Sequence, residues 1–151
     1  MSVAFRRESD EEHLEPKFEL PIPPGPNFVT PAGLAQIEAR VAELEAAAEV
    51  ESDMELKKPI QRDLRYWRLR MATAQPAPAP SDGEAGIGSL VRYLLGGTER
   101  AIWITGHDEA DPAQRRIAFS SPLARALLGT TAGDVANFGG EQDVIEVIEV
   151  R

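Results

Sequence analysis

The sequence contains no cysteine, and this absence excludes several kinds of chemistry. Without thiols the chain can form no disulfide, no thiolate nucleophile and no thiolate zinc site, which fits a reducing compartment. Long apolar runs are also missing: the first thirty residues show no apolar leader segment, and no stretch reaches membrane-spanning length. We therefore expect a soluble, unexported, cytoplasmic protein with no membrane partner.

Basic residues are scarce as well. Sixteen Lys and Arg face twenty-five Asp and Glu, which gives a net charge of −9. Because binding to a phosphate backbone normally needs a basic face, we expect no direct, specific DNA binding and instead a protein partner with a cationic surface. The charges also segregate: residues 31–55 hold seven acids and one base, whereas residues 56–75 hold six bases and one acid. This order predicts a helical hairpin with arms of complementary charge.

The predicted fold is α+β and begins with an antiparallel two-helix hairpin, a short coiled coil, over residues 30–74. Thr30 is the expected N-cap of the first helix, and Pro31 suits its first helical position. Two stripes of apolar residues then recur at spacings of three and four, and neither can be buried alone. The stripes are Leu34, Ile37, Val41, Leu44 and Ala48, then Ile60, Leu64, Trp67 and Met71. Residues 1–29, rich in proline near their end, are predicted to be a flexible tail.

A small antiparallel β domain with one short helix is predicted over residues 86–151, after an Ala/Pro linker at residues 75–85. Gly96-Gly97 separates two strand-like runs and predicts a hairpin turn. Ser120 or Ser121 is the expected N-cap of the short helix, which Gly129 closes. The strand-like runs are 90–95, 99–105, 115–119 and 144–150.

One run in this domain is specific enough to suggest a family. Residues Phe119 to Gly129 read Phe-Ser-Ser-Pro-Leu-Ala-Arg-Ala-Leu-Leu-Gly, and Gly133-Asp134-Val135 follows. This pattern resembles the C-terminal domain of the GreA/GreB family of bacterial transcription elongation factors. Residues 104–111 resemble the strand and turn that precede it there, and residues 30–34 and 65–71 resemble parts of the family's two helices.

The resemblance implies an FKBP-like β domain that binds the RNA polymerase core at the rim of its secondary channel. The helical hairpin would then point into that channel. On this basis Ser121, Pro122 and Arg125 are predicted to contact the polymerase.

The hairpin tip departs from the family's pattern. In the cleavage-stimulating members, the resemblance implies tip acids in an Asp-x-x-Glu-Asn-Ala pattern that hold a metal ion, and residues 45–60 lack this pattern. The nearest candidates are Glu49, Glu51, Asp53 and Glu55. The seam from Leu34 to Ala48 would span only about 20–25 Å. A short hairpin of this kind resembles the Gre-related regulator of nucleoside diphosphate kinase.

These patterns predict a regulator of transcription elongation that binds polymerase as a monomer and has no catalysis, cofactor or metal of its own. The alternative is a true transcript-cleavage factor whose tip carboxylates complete the polymerase's metal site. A third interpretation is an antitoxin-like protein or a regulator of nucleotide metabolism built on the same fold.

Several side chains have a structural interpretation beside the functional one. The tip acids can form a solvated helix face, and Arg125 can pair with a neighbouring carboxylate instead of a partner protein. Residues 107–111 fit a surface turn better than a metal cluster, because no second histidine lies near His107. Trp67 and Trp103 are expected in the core. Prolyl isomerase activity is not expected, since a fold alone does not establish it and the domain offers few aromatic residues: Tyr93, Trp103, Phe119 and Phe138.

Overall fold

The computed structural model describes residues 19–151, which form two compact units. One unit comprises residues 19–25 and Ile37–Thr73, and the other comprises Pro26–Gln36 and Ala74–Arg151. Most of the predicted tail, residues 1–18, lies outside the described residues.

A two-stranded parallel ladder joins β1 (Phe28–Val29) to β2 (Gln75–Pro76), within segments predicted to be tail and linker. The backbone N–H groups of Gln75 and Ala77 donate to carbonyls of the 27–29 segment at 2.9 Å each. Pro76 lies between these two donors, so its missing N–H is not needed by the ladder. Residues 28–29 and 75–76 therefore belong to strands of the second unit rather than to a tail and a linker. The ladder can form because alternating proline leaves every second backbone N–H available.

Two helices of twenty residues each follow β1: α1 at Pro31–Val50 and α2 at Met54–Thr73. The side chain of Thr30 accepts a hydrogen bond of 2.9 Å from the backbone N–H of Gly33, which confirms the predicted N-cap of α1. Each helix is about 30 Å long at 1.5 Å per residue. The arms are therefore longer than the apolar seam alone predicted.

The two helices pack through one apolar cluster. Its members all belong to the predicted stripes: Val41, Leu44 and Leu64 are buried, with Ile60 and Trp67 packed against them. Met71, also assigned to the second stripe, is 38% exposed in the last turn of α2, so that assignment is wrong. The apolar period indicates which face of a helix is buried but not how far along the helix the burial extends.

The second unit contains a five-stranded sheet. Its strands are β3 (Leu90–Leu95), β4 (Thr98–Thr105), β5 (Arg116–Ala118), β6 (Val135–Phe138) and β7 (Glu141–Val150), in the order β5-β4-β3-β7-β6. Gly96 and Gly97 join β3 to β4 with φ angles of 58° and 87°, as the predicted two-residue turn requires. Strand β6 was not predicted from the sequence.

The sheet is mixed, whereas the sequence predicted an antiparallel β domain. Strand β5 pairs with β4 in parallel, whereas the β3–β4, β3–β7 and β6–β7 pairs are antiparallel. A tight turn cannot join parallel neighbours, and residues 106–115 supply the longer connection.

The core of this unit lies between the sheet and a short helix, α3 (Pro122–Leu127), whose Ala124 and Leu127 are fully buried. The other buried members are Ala85, Val91, Tyr93, Ile102, Ile104, Ile145 and Val147. Trp103 is 43% exposed, which corrects its predicted place in the core. Because side chains alternate along a strand, its buried neighbours on β4 turn Trp103 to the opposite face.

Candidate functional site

The three residues predicted to contact a partner lie at the first turns of α3. The hydroxyl of Ser121 accepts a hydrogen bond of 3.3 Å from the backbone N–H of Ala124, so Ser121 is the N-cap and Pro122 occupies the first helical position. Gly129 follows the helix with a φ of 82°, as predicted for its end. Pro122 and Arg125 are both exposed, and they lie one helical turn apart. The cap thus fixes the backbone from which these two side chains extend into solvent.

The alternative interpretation of Arg125 is that it pairs with a neighbouring carboxylate, and its surroundings do not support this. Within residues 19–151 its guanidinium makes no ion pair and no side-chain hydrogen bond. By contrast, Arg92 pairs with Glu99 and Glu149 at 3.3 Å each, and Arg151 pairs with Glu149 at 3.1 Å. Hydrogen bonds from Arg151 and Arg92 lower the pKa of Glu149. The charge of Arg125 is therefore available to a partner in a way that those of Arg92 and Arg151 are not.

The four candidate acids at the hairpin tip surround the turn at residues 51–53. Three of them make local contacts. Glu51 accepts from the backbone N–H of Asp53 at 3.1 Å, and Asp53 accepts from the N–H of Glu55 at 2.9 Å. Glu55 forms an exposed ion pair with Lys58 at 3.3 Å. Glu49 is exposed near the end of α1. These contacts fit the structural interpretation, in which Asp53 is the N-cap of α2.

The tip also exposes large apolar side chains, which were not predicted as site residues from the sequence. Val50 is 83% exposed, Met54 is 67% exposed and Leu56 is 57% exposed. In the part of the chain that the structure describes, no three acidic or histidine side chains come close enough together to hold a metal ion. The tip thus offers dispersed carboxylates beside apolar groups.

The turn after β4, residues 107–111, directs its side chains to separate contacts. Both carboxylate oxygens of Glu109 accept from the hydroxyl of Thr30, at 2.7 and 2.8 Å. The Nε2 of His107 is hydrogen bonded to the hydroxyl of Ser120 at 2.8 Å. Asp111 caps a 3₁₀ turn at Pro112–Gln114. This arrangement fits the surface-turn interpretation rather than a metal cluster.

Glu109 lies at the N-terminus of α1, where a negative charge is favourable. A Cβ atom on Gly33 would lie 2.6 Å from a carboxylate oxygen of Glu109, so a larger residue there would require the Glu109 side chain to shift. The hydroxyl of Thr30 thus accepts a hydrogen bond from the backbone N–H of Gly33 and also donates one to the carboxylate of Glu109.

We expect Thr30→Ala and Glu109→Ala each to lower the free energy of unfolding by about 1–2 kcal/mol, because each removes a hydrogen bond that supports the start of α1. The double variant should lose less than the sum, since both changes remove the same contact. Urea titration followed by circular dichroism measures all three. Glu141→Ala, at an exposed carboxylate, is the control and should stay within about 0.5 kcal/mol. Fully additive losses would contradict the shared contact.

A groove of about 510 Å³ opens beside α3. Its wall includes Tyr93, Arg100, Ile102, Arg115, Ile117 and Leu123. Burial raises the pKa of the Tyr93 phenol, and the nearby charge of Arg100 offsets part of that rise. Neither arginine was predicted as a site residue, because nothing in their local sequence distinguishes them from ordinary surface residues.

No helix within residues 19–151 combines the length and the apolar character needed to cross a bilayer.

The chain is similar in sequence and in structure to known proteins. Residues 80–151 match the family model described as "Transcription elongation factor, GreA/GreB, C-term". The chain is 30% identical over 137 residues to transcription elongation factor GreA of Mycoplasmopsis pulmonis, covering 88% of this chain and 84% of that protein. It is 31% identical over 117 residues to GreA of Alkalilimnicola ehrlichii, covering 72% and 73% respectively. The solved structure of GreA factor homolog 1 from Thermus thermophilus aligns with a TM-score of 0.41 at 17% identity, over 84% of this chain and 99% of that one.

Proposed function

Because the chain belongs to the GreA/GreB family of transcription elongation factors, we propose that it binds RNA polymerase at the secondary channel and regulates elongation without stimulating transcript cleavage. A cytoplasmic location is part of the same proposal, because the proposed partner is RNA polymerase. Docking through the β domain is part of this proposal, with Ser121, Pro122 and Arg125 at the contact.

The observation that carries polymerase binding is the geometry of α3. Ser121 uses its hydroxyl as the N-cap, and Pro122 and Arg125 are exposed one turn apart; no described residue pairs with the Arg125 guanidinium. Because the cap fixes the backbone here, docking would have to order only the side chain of Arg125. It lies within residues 80–151, the part that matches the family model.

The contacts of the tip carboxylates support the part of the proposal that the chain does not stimulate transcript cleavage. Asp53 and Glu51 accept local backbone hydrogen bonds, and Glu55 pairs with Lys58. Carboxylates engaged in this way serve the turn and the start of α2.

A transcript-cleavage factor is the second candidate, and one observation favours it. Asp53 and Glu55 are both exposed at the far end of the hairpin. Carboxylate oxygens are the ligands that magnesium prefers, and a partner enzyme could supply the remaining ligands.

Binding to the polymerase core tests the proposal. We expect Arg125→Glu to weaken binding about tenfold, because it replaces an attractive charge at the contact with a repulsive one. Arg151→Glu is the matched control, since it makes the same charge change at an exposed arginine of the same domain, and it should change affinity less than about twofold. Binding should also weaken with salt, because charge interactions are screened within about 10 Å at 0.1 M. If the unmodified chain does not bind core polymerase, the proposal fails.

A further inference from the structure

The groove beside α3 combines an apolar floor with two cations. Ile102, Ile117 and Leu123 supply apolar surface, and Arg100 and Arg115 line the same groove. Neither guanidinium makes an ion pair or a side-chain hydrogen bond within residues 19–151. In a chain of net charge −9, this lack of pairing, even with Glu99 in the same groove, requires an explanation.

Arg115 is the more informative of the two. Its φ of 61° and ψ of 31° are left-handed, a conformation that favours glycine or asparagine over arginine. Its backbone is fixed by the turn: the N–H donates to the carbonyl of Pro112 at 3.0 Å, and its carbonyl accepts from Trp103 at 2.7 Å. The turn therefore needs this backbone shape but not this side chain. An exposed arginine at a strained position points to a role outside the fold.

Arg100 lies directly across the β3–β4 ladder from Tyr93, at the edge of the same groove. Glu99 also lines the groove, and its carboxylate is directed to Arg92 at 3.3 Å. The arginine charges thus outnumber the acid charge there, and the acid already has a cationic partner.

We propose that this groove binds an acidic segment of a protein partner, with a carboxylate held by Arg100 and Arg115 and an adjoining apolar side chain against Ile102, Ile117 and Leu123. The inference rests on the proposed function, since the partner that would present this segment is RNA polymerase. Guanidinium groups pair well with carboxylates, and apolar surface beside the pair strengthens the contact.

The groove adjoins the proposed polymerase contact on α3, and this supports RNA polymerase as the partner. Leu123 lies in the groove wall, and its neighbours along α3 include Pro122 and Arg125 of the proposed contact. A protein surface that covers the start of α3 would therefore also reach the groove. The net charge of −9 favours a cationic partner surface at long range, whereas the groove selects an acidic residue within that surface.

The wall of the groove does not suit a nucleotide or free phosphate. Tyr93 is only 1% exposed, so its ring offers no stacking face. The groove is lined by no glycine that would bring backbone N–H groups to a phosphate, and Pro112 has no N–H to donate. Glu99 would repel a doubly charged phosphate more strongly than a single carboxylate.

The test measures the dissociation constant of the full chain for core RNA polymerase, by fluorescence anisotropy of chain labelled at its N-terminal amine. We expect the double variant Arg100→Glu/Arg115→Glu to raise Kd at least about tenfold. Arg115→Gly should raise Kd about three- to fivefold and, because glycine relieves the left-handed strain, should also raise Tm by about 2–4 °C. Arg151→Glu, outside the groove, should leave Kd within about twofold.

The combination of weaker binding and higher stability in Arg115→Gly is the result that a merely structural role would not produce. A fall in Tm together with weaker binding would overturn the inference. If the unmodified chain binds polymerase and the groove variants bind equally well, the inference is wrong and the proposed function stands. If the unmodified chain does not bind, both are wrong. Binding of inorganic phosphate that both groove variants abolish would show a small-anion site instead and would also overturn it.

Discussion

Replacing Leu64 with alanine is expected to lower the free energy of unfolding by about 2–5 kcal/mol. Leu64 is 6% exposed and belongs to the small apolar cluster between α1 and α2. Its removal leaves a cavity that Val41 and Leu44, the other buried members, cannot fill without moving. Urea titration followed by circular dichroism at 222 nm measures the loss. Because the cluster is small, this single change should remove a large share of the hairpin's stability.

Leu69→Ala is the matched control for this prediction. Leu69 lies on the same helix, but it is 44% exposed, so its truncation should cost less than about 1 kcal/mol. Equal losses at Leu64 and Leu69 would mean that the apolar seam does not hold the two helices together.

The second prediction concerns the tip. A chain in which Glu49, Glu51, Asp53 and Glu55 are all replaced by alanine should bind core polymerase with a Kd within about twofold of the unmodified chain. The Kd should stay unchanged because the proposed contact lies on α3 and three of these four side chains are engaged in local contacts at the tip. Loss of the Asp53 cap should cost about 1 kcal/mol of stability, which circular dichroism can follow separately. Binding is measured by titration with core polymerase.

Arg125→Glu provides the comparison in the same titration, since it makes one charge change at the proposed contact. A tip variant that binds tenfold more weakly, beside an Arg125→Glu variant that binds normally, would place the docking surface on the hairpin and contradict the proposal.

Local signals in the sequence were enough to predict much of the fold. Thr30-Pro31 and Ser121-Pro122 each place a capping hydroxyl before a proline, and both helices begin there. Gly96-Gly97 allows the positive φ angles that its turn needs. These signals involve only a few neighbouring residues, so they can be recognised without knowledge of the tertiary structure.

What the sequence did not reveal depends on residues far apart in the chain. The ladder between β1 and β2 was missed because a proline-rich segment usually indicates a linker, whereas alternating proline leaves the needed donors in place. Trp103 was misplaced because its aromatic character outweighed the alternation along β4.

The candidate site residues also fall into two groups, those that a local sequence pattern indicated and those that only the tertiary structure brings together. Ser121, Pro122 and Arg125 were found through the resemblance of one continuous run. Arg100 and Arg115 were not found, because they meet only through the unexpected parallel pairing of β4 with β5 and through a left-handed turn that arginine does not signal.

Transcript cleavage in a stalled, backtracked elongation complex tests the central claim most directly. With magnesium present and polymerase saturated by the unmodified chain, the proposal predicts binding and no increase in the rate of RNA cleavage over polymerase alone. A stimulated cleavage that disappears when either Asp53 or Glu55 alone is changed to alanine would contradict it, because a carboxylate that holds a catalytic metal cannot be spared, whereas one that serves a helix end can.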